Sequence, residues 1–129
     1  MFAPRPERAV TEMLRVCRPG GQIAMTNWTP GGFTGQLMKI MSTHIPPPSS
    51  LPSPLLWGEE VTVRERLREG ITDLQTMHVK VSFKYPFSVP ETVEFFRVTY
   101  GPTQRAFASL SDDKQAALRQ DLENLLSQH

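Results

Sequence analysis

The run Arg15-Val16-Cys17-Arg18-Pro19-Gly20-Gly21-Gln22-Ile23-Ala24-Met25 passes from a helical pattern through a sharp break into a short apolar core. Upstream of it, Pro4 and Pro6 suit the first turn of a helix, because proline presets the backbone angle and its missing N–H would be unpaired there anyway. Val10, Met13, Leu14 and Cys17 recur at helical spacing and leave Glu7, Arg8, Glu12 and Arg15 to water, so the helix runs to about Cys17. Pro19-Gly20-Gly21 stops it. Ile23, Ala24 and Met25 then predict a strand over residues 22–28, bounded by Gly21 and by Thr29-Pro30-Gly31-Gly32. A helix, a tight turn and an apolar strand form the second half of a β-α-β unit, which belongs to a parallel sheet. The expected class is therefore α/β.

Downstream, Phe33, Leu37, Met38, Ile40 and Met41 predict a helix from Phe33 to about His44. A proline-rich loop follows at residues 45–54, IPPPSSLPSP, which can be neither regular helix nor central strand. Leu55-Leu56-Trp57-Gly58 leads into a charged helix over residues 59–68 that ends at Gly70. From Met77 the residues alternate: Met77, Val79, Val81, Phe83 and Tyr85 are apolar, and His78, Lys80, Ser82 and Lys84 are polar. That is the pattern of a strand with one wet face. Ser88 with Glu91 fits a capping box opening a helix over residues 90–100. Gly101-Pro102 breaks it, a short helix covers residues 103–110, and Ser111 or Asp112 caps a last helix reaching Leu126. Leu118, Leu122, Leu125 and Leu126 form its inner stripe. Two strands among this much helix make a marginal sheet with unprotected edges.

With 129 residues, 39% of them hydrophobic, the chain is sized for one domain, 1–129, containing the proline-rich loop. Lys and Arg number 14 against 13 Asp and Glu, for a formal charge of +1, and the basic residues are scattered, which argues against a nucleic-acid or anionic-membrane partner. Cys17 has no partner for an internal disulfide and lies on the apolar side of its helix. No apolar run suits a signal peptide or a membrane span, so a soluble, cytoplasmic protein is expected. His44, His78 and His129 lack a second ligand at metal-binding spacing, so no metal site is expected. Glu59 and Glu60 are neighbours that do not face each other on a helix, which removes them as a paired acid and base.

The segment from Glu12 to Ala24 resembles the E-h-x-R-V-h-[RK]-P-G-G-x-h signature, with h apolar, of class I S-adenosylmethionine-dependent methyltransferases similar to the ubiquinone and menaquinone biosynthesis enzymes and to the type 11 group. Asn27-Trp28-Thr29-Pro30, Phe33, the proline-rich stretch before Leu55-Leu56-Trp57-Gly58, and the F-F-R-x-x-Y-G-P run from Phe95 to Pro102 look like one branch of it. The resemblance covers nearly the whole chain. It implies a partial Rossmann-like methyltransferase fold, helix-rich with about two strands, whose donor-binding half is missing. The family holds the donor through a glycine-rich loop after its first strand and an acidic residue ending its second. Both lie upstream of the signature, whereas only eleven residues precede Glu12 here. No G-x-G-x-x-G-like loop occurs, and Gly31, Gly32 and Gly35 do not supply one.

The resemblance thus implies a truncated relative of a small-molecule methyltransferase, without S-adenosylmethionine as a cofactor for the isolated chain and inactive alone. Phe2, Trp28, Phe33 and Trp57 are the candidates for the acceptor side. A buried strand without neighbours leaves N–H and C=O groups unmet at roughly 1 to 3 kcal/mol each. The two strands should therefore pair with each other, with a partner, or in a homodimer formed through strand edges or exchanged helices. The alternative function is a non-catalytic, homodimeric or partner-binding protein that uses those edges.

Overall fold

The computed structural model describes residues 2–129. Pro6, at the first helical position, opens α1 (Pro6–Val16), and Gly20, with a backbone φ of 72°, takes the turn that follows it. Phe33–His44 forms α2, and a 3-10 turn spans Pro54–Gly58. Four more helices complete the element order: α3 (Glu60–Leu67), α4 (Val89–Thr99), α5 (Gly101–Ser109) and α6 (Asp112–Leu126). The helical expectations agree with these bounds to within two residues or so.

The expectation of an α/β, partial Rossmann-like fold is overturned, because no described residue lies in a strand or a bridge. Residues 22–28 and 73–85 are irregular, and they form no ladder. The physical reason is that a strand exists only through a neighbour that takes its backbone donors and acceptors. The apolar content of 22–28 and the alternation of 77–85 are properties of each segment alone. Met25 is 37% exposed and Met77 is 82% exposed, so neither row is packed as a core strand would be.

The described residues gather into two compact units. One combines Met1–Gly35 with Pro48–Val79. Its core is Val10 of α1, Trp57 of the 3-10 turn, and Val63 and Leu67 of α3, with Met13, Leu14, Ile71 and Leu74 packed against it. On the outer face, Glu60 accepts from Arg64 at 2.7 Å and from Thr76 at 2.8 Å. The hydrogen bonds from Arg64 and Thr76 hold the Glu60 carboxyl below the usual carboxylate range.

The other unit combines Gln36–Pro47 with Lys80–His129. It buries Leu37 and Met41 of α2, Val93 and Phe96 of α4, Ala106 and Phe107 of α5, and Leu118, Leu122 and Leu125 of α6. The predicted stripe of α6 is thus seen, with Leu126 half-buried at its edge. Polar groups tie the helices across this core. The Thr103 hydroxyl donates to Met41 Sδ at 3.7 Å, His44 Nε2 lies 2.7 Å from Asp121 Oδ2, and Arg119 donates to Glu94 at 2.9 Å. At the head of α4 the Ser88 backbone N–H donates to Glu91 Oε2 at 2.8 Å, which realises the expected capping box.

Candidate functional site

In the first unit, α1 brings Ala9 and Met13 toward Met25, Thr26 and Asn27 of the irregular segment, and Trp57 closes the space. The resulting cavity has a volume of about 300 Å³, at the lower end of the roughly 300 to 1,000 Å³ usual for small-molecule sites. Two thioethers and an indole make it apolar, and the Thr26 hydroxyl and Asn27 amide give it two polar points. No lining residue is ionisable. Such a lining supplies no group for general acid or base work.

Trp57 is held from several sides. It is 6% exposed within the core, and the Arg66 guanidinium carbon sits 4.5 Å from its ring centroid. Arg66 Nη1 is buried with no hydrogen-bond partner, so the electron-rich ring face is what meets its charge. Gly58 next to it lies against the backbone of Trp28, where a Cβ would fall on the Trp28 carbonyl oxygen. The end of the irregular segment is thereby fixed against the 3-10 turn.

Of the four residues expected on the acceptor side, Trp57 lines this cavity. Trp28 directly follows its wall and is 43% exposed. Phe2 adjoins the lining residue Ala3 and is 65% exposed, and Phe33 is the half-buried first residue of α2. Met13, Met25, Thr26 and Asn27 were missed as site residues. Met13 reads as an inner helix position and Met25 as strand core, and only Asn27, inside the Asn-Trp-Thr-Pro run, carried a signal. A second, open trough of about 720 Å³ runs along the turn after α1, with Cys17, Gly20, Gly21 and Ile23 among its walls. Cys17 is half-buried and free. Among the described residues no group of three or more His, Cys, Asp and Glu side chains is placed to hold a metal ion, and no helix is long and apolar enough to cross a membrane.

The chain is similar to a group of mycobacterial proteins. It is 36% identical over 122 residues to the uncharacterized protein Rv1405c of Mycobacterium tuberculosis, a match that takes in 94% of this chain and 44% of that protein. It is 34% identical over 124 residues to the uncharacterized protein Rv1403c of the same organism, covering 95% of this chain and 45% of that one. The uncharacterized protein Mb1440c of Mycobacterium bovis matches at 36% over 122 residues, 94% of this chain and 44% of its own. The chain thus spans less than half the length of these relatives. No protein-family model matches it, and no solved structure does.

Proposed function

We propose that this chain carries part of the acceptor side of a small-molecule methyltransferase of the S-adenosylmethionine-dependent lineage, and that it transfers no methyl group by itself. The observation that carries the reading is the composition of the cavity. Met13 lies inside the methyltransferase-like signature, Met25 and Thr26 directly follow it, Asn27 opens the Asn-Trp-Thr-Pro run, and Trp57 belongs to Leu-Leu-Trp-Gly. Three of the segments that carry the resemblance therefore each place a residue, Met13, Asn27 and Trp57, on one largely apolar space that Ala3, Ala9, Met25 and Thr26 complete. Methyl transfer to a small molecule depends chiefly on holding the donor methyl in line with the acceptor atom, and a cavity without ionisable walls suits that task. The sequence holds no glycine-rich donor loop, and more than half of each relative lies outside the match, which leaves room there for one.

Titration calorimetry with S-adenosylmethionine tests this. The chain alone is expected to give no heat, and full-length Rv1405c is expected to bind one equivalent. Heat from the chain alone means that it has a donor site and removes the claim of inactivity. Absence of binding by the full-length relative removes the methyltransferase lineage.

A second reading, a non-catalytic protein acting through association with a copy of itself or a partner, draws on the exposed apolar side chains of residues 77–87.

A further inference from the structure

Residues 80–87 present an unusual surface within the second unit. Val81 and Phe83 are 61% and 60% exposed, Tyr85 and Phe87 37% and 45%. These are every second residue, with Ser82, Lys84 and Pro86 between them and Lys80 just before, and the stretch before Pro86 contains neither helix, turn nor bend. Period-two alternation is the pattern of a strand that buries one face and wets the other. Here Val81 and Phe83 keep most of their surface in water, and Tyr85 and Phe87 are only partly covered.

The Tyr85 ring lies 6.1 Å from Phe95 and 5.3 Å, edge-on, from Phe96, and Phe87 lies 5.5 Å from Phe95. Through Phe95, 37% exposed, and Val98, 52% exposed, the patch continues onto α4. Scattered apolar side chains need no explanation, but a contiguous patch of this kind marks an interaction surface.

Charge identifies what fits it. No acidic residue occurs from Leu74 to Pro90, while Lys80 and Lys84 alternate with the apolar row. Opposite charges facing each other across paired strands stabilise the pair, and like charges oppose it. A second copy, paired antiparallel so that apolar positions face one another, would gather both copies' Lys80 and Lys84 on one face with no acid among them. A strand with acidic residues at the alternate positions has neither problem.

We propose that residues 80–87, flanked by Phe95 and Val98, are a docking strand for a segment in which apolar residues alternate with Asp or Glu; in the longer relatives such a segment would lie outside the matched stretch. Those relatives match nearly all of this chain and leave more than half of their own length for such a segment. Main-chain pairing supplies affinity in this mode, and side chains supply the choice of partner. The inference is independent of the methyltransferase reading, which the calorimetry decides.

The test uses overlapping synthetic peptides covering the part of Rv1405c outside the match, with binding to this chain followed by fluorescence anisotropy. At least one peptide of alternating apolar and acidic residues is expected to bind. Val81→Asp and Lys84→Glu should each weaken it tenfold or more, and raising the salt should weaken it too. Both positions are exposed, and an unchanged helical circular dichroism spectrum shows that the variants fold. The proposal is overturned by the absence of any binding peptide, or by binding that neither variant alters. It is equally overturned if light scattering finds a dimer of this chain that Val81→Asp dissociates, since the row then belongs to a second copy.

Discussion

Gly58 shows how one missing side chain holds the cavity wall in place. An added Cβ would meet the carbonyl oxygen and carbon of Trp28 and the Thr29 Cα, all backbone atoms that cannot rotate aside. Gly58→Ala is therefore expected to lower the free energy of unfolding by about 1 to 3 kcal/mol, the range for forcing an extra methyl into a filled space. Gly31→Ala is the control, because a Cβ at Gly31 meets nothing within 4 Å. Urea titrations of both variants decide the matter, and equal midpoints would show that the Gly58 contact is not rigid. The residue scale is also where sequence says least about the site. Trp57 is legible as a large apolar side chain near a methyltransferase-like motif. That Val63 and Leu67 surround it, that Arg66 stacks on it and that Met25 faces it depend on distant segments meeting.

Among elements, the helices were legible because each carries its own ends. Pro6 starts α1 and the Pro19-Gly20-Gly21 break limits it, while Ser88 and Glu91 cap α4. Such signals are local, so they survive without knowledge of the rest of the molecule. The expected strands failed because alternation is local but a ladder is not. What joins the helices is likewise unreadable from sequence: Glu94 on α4 receives Arg97 of its own helix at 2.9 Å and Arg119 of α6 at 2.9 Å. The hydrogen bonds from Arg97, then Arg119, lower its carboxyl from 4.5 to about 2. A carboxyl lowered on folding adds stability that is fully present above 4.5 and is lost as the pH falls through about 2. Glu94→Gln should thus destabilise the protein at neutral pH. With the Glu94 side chain 42% exposed, the loss should be only about 0.5 to 1 kcal/mol after solvent screening. Thermal melts of both proteins across a pH series should converge toward pH 2, and a gap that persists there would assign the effect to packing instead.

At the scale of the whole molecule, helices carry all of the regular structure described, and two apolar rows lie outside both cores. Amide hydrogen exchange separates this arrangement from one that contains a sheet. In helices, each amide beyond the first turn donates to a carbonyl of the same helix, and in α4, α5 and α6 those helices close over Val93, Phe107, Leu118 and Leu122, all at most 3% exposed. Their amides open only when the packing opens, so their exchange should report the largest free energies in the second unit. Residues 22–26 and 73–81 have no ladder to protect them and should exchange close to the rate of an unstructured peptide. Slow exchange alternating along 73–81 in the isolated chain would mean that a strand partner is already present, and it would return the sheet. If the docking inference holds, protection spreading into residues 80–85 should appear when the binding peptide from the relative is added, with α5 and α6 unchanged. That pattern would locate the new backbone hydrogen bonds where the exposed row is, which binding measurements alone cannot do.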